Sequence, residues 1–479
     1  MVRKGTELSG IALLVVLATG RCNTLAAQTS VPPPLPEAPK VRLLAQSDLA
    51  QSASPPEPQA VAPPGAAAGQ PQRLTRTDAE QMAIKNNPRI SVGRLVALAQ
   101  HQVVRETTAA ELPTALASFT AEDAEQATRI SAGTLTASRL FEHAGAGSSA
   151  TQLITDFGRT RNLVLSSKLQ EKAQNASALA TVEDIVLATD QAFYNALQAE
   201  ALLNVAKQNV ETRQTTDDQI SVMTKNKLKS TLDLSFADVN LSQAKLLLLD
   251  AENNSDSTMA ALDDVLGLDK KVNFDLEGGT DALQAPPVDE DQLLKLALQQ
   301  RPDLQALDYQ DQAAVKFSRA QRDQLLPSIS ALGTIGIVPT RPGSQYYVAN
   351  WWGAVGVNMN IPIFNGFLYT AEAKEATIRA QAAADQTRDL RDHIVRDVRT
   401  SWLSANTAYQ RVQVTEELLK EANLALQLAQ SRYQLGLSSI VELSQAQFQQ
   451  TDAAIGNTNA QYQYRLSLSA LNFEIGATP

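Results

Sequence analysis

With 479 residues, the chain has room for several ordinary domains or one elongated one. Aromatics make up 5%, low for a large compact core, and the formal net charge of −10 argues against nucleic acid as a partner. The single cysteine, Cys22, excludes a disulfide framework and a thiolate metal site, and His101, His143 and His393 stand too far apart to suggest a metal centre.

Residues 1–27 read as a secretory signal. Arg3 and Lys4 form a basic start, Ile11 to Ala18 a short apolar segment, and Thr24-Leu25-Ala26 a small-residue cleavage site. Cys22 invites lipid attachment, but Arg21 stands where that signal needs a small residue. Residues 28–72 are rich in Pro, Ala, Gln and Ser, too poor in apolar surface to offset chain entropy, and read as a disordered tether. After the signal no run of about 18 apolar residues occurs, so no transmembrane helix is expected.

The rest of the chain repeats itself. "AIKNNPRI" from Ala83 returns as "ALQQRPDL" from Ala297, and "AAELPTALAS" from Ala109 as "DQLLPSISAL" from Asp323. "QLITDFGRTRNLVLSS" returns as "IPIFNGFLYTAEAKEA", which aligns Gly158 with Gly366, and "KLKSTLDLSFAD" as "GLSSIVELSQAQ". One unit spans 73–268, a linker 269–288, and a second unit 289–476. Each should hold a moderate helix ending before Pro113 or Pro327, a β-hairpin, a very long helix, a sharp turn and a second long helix. The long helices are expected from Gly158 to Lys225, Ser230 to Leu266, Gly366 to Gln434 and Ser439 to Ile475. Leu390, Ile394, Val398, Trp402, Ala405, Tyr409 and Val412 make a stripe in steps of three and four, the pattern of packing against neighbouring helices.

The β segments alternate. Val355, Val357, Met359 and Ile361 are apolar, while Gly356, Asn358 and Asn360 are small or polar, the period of a strand with lipid on one side and water on the other. Tyr347 and Trp351 lie where an interfacial aromatic girdle belongs. In the first unit the strands are expected near Thr114–Ala121 and Ala144–Ile154. Two hairpins give four strands, too few to close a barrel, so several chains must pool them.

The duplicated unit, "LLPSISALG", "DFGR" with "IFNG", "RYQLGLSSIVELSQAQ" and "RLSLSALNFEIG" together resemble the TolC family of outer-membrane efflux proteins over about Arg73 to Gly476. The resemblance implies a mainly α fold with a transmembrane β part. Four strands per chain would enter a twelve-stranded barrel of a homotrimer in outer-membrane lipid, and a long α-helical barrel would cross the periplasm. It implies a passive duct for small molecules, such as drugs, toxic compounds or metal ions, without cofactor or enzymatic activity. The implied partners are a periplasmic adaptor and an inner-membrane transporter of the RND, MFS or ABC type. The adaptor-contact tips would be Lys227, Leu228 and Lys229 in the first unit, and Leu435, Gly436, Leu437 and Ser438 in the second. Asp233 and Glu442 would ring the pore entrance, with Tyr433 as a gate residue; the simpler reading makes both acids ordinary helix-start residues. The arginine some relatives carry at Ser438 is absent, so the family's Tyr–Arg–Asp lock does not transfer.

A duct for type I protein secretion would have the same sequence features. A soluble periplasmic coiled-coil adaptor would need a lipoyl-like domain between its helices. No phosphate loop, nucleophile elbow or paired catalytic acids point to an enzyme.

The tether reading is testable. Deleting residues 31–70 with the signal retained should leave the yield of assembled protein unchanged on native gels, and a loss of assembly would show that the segment helps folding.

Overall fold

Two prolines set the first break in each repeat. The sequence suggested one moderate helix before each hairpin; the computed structural model shows two. Helix α1 (Arg76–Asn86) meets α2 (Pro88–Ala109) at Asn87, and α5 (Glu290–Gln300) meets α6 (Pro302–Asp323) at Arg301. A residue before proline is driven from the helical region, and Asn87 (ψ 123°) and Arg301 (ψ 120°) are both extended. Proline then serves as the first residue of the next helix, where its missing N–H costs nothing. The structure describes residues 72–122, 129–132, 135–139, 143–278, 283–287, 289–340 and 351–477. The signal, nearly all of the tether, Cys22 and Tyr347 lie outside them.

The remaining elements follow the duplication. In the first repeat β1 (Gln72–Thr75) precedes α1. Strands β2 (Thr114–Glu122) and β5 (His143–Thr155) flank a small separate pair, β3 (Arg129–Ala132) and β4 (Leu135–Arg139), which the sequence reading did not foresee. Then come α3 (Arg159–Lys225), α4 (Thr231–Val265) and β6 (Phe274–Glu277). In the second repeat α5 and α6 lead to β7 (Ser328–Thr340), β8 (Trp351–Asn360), α7 (Leu368–Gln434) and α8 (Ile440–Glu474). Corresponding helices have equal lengths: 11, 22, 67 and 35 residues in each repeat. At about 1.5 Å per residue the longest are rods of roughly 100 Å.

Equal lengths also correct the alignment at the strand-to-helix turn. Both turns carry two consecutive left-handed residues, Phe157-Gly158 (φ 57°, 110°) and Gly366-Phe367 (φ 66° at Phe367). Counted back from the helix starts, Phe367 takes the place of Gly158, and Gly366 that of Phe157.

The helices pack side by side. Toward the strands, α2 lies on α3, α3 on α6 and α6 on α7; toward the opposite end the order is α4, α3, α8, α7. Two cores sit where the short helices cross the long ones. Phe193, Leu262, Leu266 and Leu74 centre the first, with β6 paired parallel to β1. Ile394, Val398, Ala405, Leu293 and Leu471 centre the second, so the α7 stripe faces α5 and α8. The flanking helices keep large apolar side chains exposed: Leu95 and Leu98 on α2, Leu246 and Leu249 on α4, Leu418 and Leu428 on α7.

The main sheet runs β2-β5-β7-β8, antiparallel throughout, with β2 and β8 as free edges. Its register places Phe119, Ile335, Trp351, Val355, Val357 and Met359 on one face; Val355 is 92% exposed and Trp351 72%. The other face holds Ser118, Ser149, Thr334, Asn358 and Asn360, with Leu116, Leu332 and Trp352 as apolar exceptions. No described helix is long and apolar enough to cross a membrane.

Beside the first core, Arg76 Nη1 lies 3.2 Å from Glu80 Oε1 and 3.2 Å from Asp190 Oδ2. The Ser469 hydroxyl donates to Asp190 Oδ2 at 2.8 Å, which joins α8 to α3. Glu80 is 3% exposed, and burial first, then hydrogen bonding to Asp190, lifts its carboxyl from about 4.5 to about 7. In the unfolded chain Glu80 ionises near 4.5, while folded it keeps its proton to about 7. Its contribution to stability is therefore full below pH 4.5 and falls as pH rises to about 7. Glu80→Gln, a mimic of the protonated form, should raise the melting temperature at pH 8 and change it little at pH 4.5. Thermal unfolding in detergent at both values checks this; an equal loss at both would assign Glu80 a plain packing role.

Candidate functional site at the helix-turn-helix tips

Helices α3 and α7 end in the same way. In the first tip, the Lys227 N–H donates to the Thr224 carbonyl (3.0 Å) and the Leu228 N–H to Met223 (2.9 Å). In the second, Gly436 donates to Tyr433 (3.0 Å) and Leu437 to Arg432 (2.8 Å). Each closes with one left-handed residue, Lys227 at φ 60° and Gly436 at φ 73°. Three residues later a serine caps the next helix. The Ser230 hydroxyl accepts from the Leu232 N–H (3.1 Å), and the Asp233 carboxylate accepts from the Ser230 N–H (3.2 Å), a reciprocal cap. Ser439 caps α8 by accepting from the Glu442 N–H at 3.4 Å.

The sequence-derived site residues therefore come together in space. Leu228, Leu435 and Leu437 project into solvent at 73%, 74% and 67% exposure. Tyr433 is buried among Ile220, Ala237, Ile440 and Leu443, side chains of α3, α4 and α8. Its hydroxyl has no hydrogen-bond partner, and burial first, then nearby Asp233, pushes its pKa up. Lys229 Nζ sits 4.1 Å from the centre of the Tyr433 ring and ties the first tip to the second. Glu442 Oε1 pairs with Arg432 Nε at 3.0 Å. Trp351, expected at an aromatic girdle, stands apart on the edge strand β8.

Three contacts escaped the sequence reading. Two are the Lys229–Tyr433 stack and the Arg432–Glu442 pair. The third lies further along the rods, where buried Arg213 donates to Gln447 Oε1 (2.5 Å) and Gln447 Nε2 to Thr216 (3.1 Å). Burial lowers the Arg213 pKa. Nearby, Asp217 on α3 is held above its ordinary value by burial, then by Asp238 on α4. Two of the three contacts join residues more than 200 positions apart, and Arg432 and Glu442 meet only across the turn, so no local motif announces them. Among the described residues no group of His, Cys, Asp and Glu is placed to hold a metal ion.

This arrangement offers neither a nucleophile with a base nor a ligand cage. It offers polar, charged ends on long rods, and an amphipathic sheet at the other end. Residues 293–477 match the family model described as "Outer membrane efflux protein". The chain is similar to the outer membrane efflux proteins. The outer membrane protein TolC of Salmonella enteritidis is 23% identical over 341 residues, 68% of this chain and 67% of that protein. Among solved structures, a membrane protein from Pseudomonas aeruginosa superposes with a TM-score of 0.75 at 21% identity, over 84% of this chain and 93% of that one. The CusC channel superposes with a TM-score of 0.75 at 18% identity, over 84% of this chain and 92% of that one. The matched family model and TolC are both described as outer membrane proteins. The family match covers the second repeat, and the equal helix lengths extend the same plan to the first.

Proposed function

We propose that the chain is one third of a homotrimeric, passive export duct. It would carry small molecules from an inner-membrane RND, MFS or ABC transporter, through a periplasmic adaptor, to the exterior. The observation that carries this reading is the four-stranded sheet, with its apolar face and two free edges, mounted on rods of roughly 100 Å. An open edge cannot face lipid, because its N–H and C=O groups would stay unpaired there. Edge β8 of one copy meeting β2 of the next would close twelve strands from three copies. The exposed leucines of α2, α4 and α7 lie on the flanks that such neighbours would cover. The residues proposed for the membrane girdle are Trp351 and Tyr347.

Native mass measurement of detergent-extracted protein should give three copies; a soluble monomer without detergent would overturn the assembly.

Asp233 and Glu442 are proposed as the entrance carboxylates, one step inside the adaptor-contact tips. Crowded acids raise local cation concentration, and salt screens the effect. In planar bilayers at about 0.01 M salt, where the Debye length is roughly 30 Å, Asp233→Asn with Glu442→Gln should shift the reversal potential away from cation selectivity. Each change removes one negative charge, and the second also leaves Arg432 unpaired. An unchanged reversal potential would make both acids helix caps and nothing more.

A further inference from the structure

Among the described residues, four helix ends close on a left-handed residue with the same pair of hydrogen bonds. Three of these residues are glycines, Gly267, Gly436 and Gly476; the fourth is Lys227. A Cβ in this region strains the backbone, so glycine would hold the same turn with less strain. A Cβ added at Gly436 would meet no atom within 4 Å, so the twin position is roomy and the difficulty is conformational alone. The Lys227 side chain is exposed and fills no core. Strain kept where packing gives no return points to a use for the side chain.

Its neighbours share its character. Lys225 is exposed on the same turn, and Leu228, Leu435 and Leu437 stand out in solvent beside it. The Lys229–Tyr433 stack holds both tips together as one surface. The acids nearby are already engaged: Asp233 in the cap of α4, Glu442 with Arg432. The rim is therefore cationic around apolar contacts, on a chain of net charge −10.

We propose that the tips dock a periplasmic partner whose own helical tip is apolar at its centre and acidic at its edge, with Lys225 and Lys227 facing its carboxylates. This rests on the duct reading and specifies the chemistry of its adaptor. Complementary charge sets register and encounter rate, while the leucines supply the buried contact.

The test uses the intact detergent-solubilised protein and two synthetic helical hairpins with the same leucine tip, one flanked by glutamates and one by lysines. Fluorescence anisotropy at about 0.05 M salt should show the glutamate hairpin binding at least about tenfold tighter, with the gap closing near 0.5 M. Lys225→Glu with Lys227→Glu should reverse the order. Lys227→Gly should hold or raise the melting temperature while weakening the glutamate hairpin about two- to fivefold. Equal binding of both hairpins, or an unreversed order in the double variant, overturns the proposal. So does a lower melting temperature for Lys227→Gly, which would show that lysine stabilises the turn. Bilayer conductance of the wild-type sample separates the two readings. A pore without hairpin preference sinks only the acidic partner, whereas hairpin preference without a pore sinks the duct.

Discussion

A helix of 67 residues can bury only a stripe of itself, and it needs a neighbour along its whole length. This constraint organises the molecule. Neither α3 nor α7 is covered by one partner. Each runs past a 22-residue helix toward the strands and a 35-residue helix toward the tips, and the two shorter helices nearly equal the rod when laid end to end. The join between them falls at the equator, where α1, α5 and the β1/β6 pair fill the gap and where the buried cores lie. A change in the length of one helix would shift every contact beyond it, so equal lengths in the two repeats follow from sharing one slab.

The slab has flanks, and the sheet has edges, for the same reason. Side-by-side packing of a few elements satisfies its interior and leaves its borders open. Along the rods the cost of an open border is apolar area in water, of order 25 cal/mol per Å². At the sheet it is unpaired backbone, which lipid tolerates far less than water does. In the proposed duct the stricter demand comes from the four strands, and the helical flanks would inherit the symmetry that closing the strands requires.

Much of this was legible in the sequence, because long-range architecture here is written in local signals. The repeats, the Leu-Pro stops and the serine helix starts mark elements without any knowledge of contacts. The alternation of Val355, Val357 and Met359 gave the apolar face of β8, which the register confirms and extends to Phe119 and Ile335. The helix breaks at Asn87 and Arg301 were readable in principle, since the proline was in view, but the helical pattern on both sides hid them. The one-residue error at Gly366 arose because glycine was taken as the marker, while the turn needs two left-handed residues and lets phenylalanine occupy one of them. The contacts at the tips were not legible. Lys229 and Tyr433 lie on different hairpins, and Arg213 reaches Gln447 across two helices.

Duplication makes the tips informative, because each acts as the other's control. Backbone geometry, cap serine and following acid recur in both, so whatever differs is not demanded by the turn. What differs is charge. One tip carries lysines at 225, 227 and 229, and the other has Gln434, Gly436 and Ser438 at the matching steps. The equatorial asymmetry is of another kind. Arg76, Glu80 and Asp190 form a buried cluster in one repeat, while Arg301, Asp303 and Glu474 form one at a different position in the other. Both clusters face inward and tie short helices to long ones, so each repeat solves the same structural problem with its own ions. At the tips Lys229 lies on Tyr433, but Lys225 and Lys227 are exposed and face outward. A difference between repeats that touches nothing inside the molecule is a difference directed at something outside it.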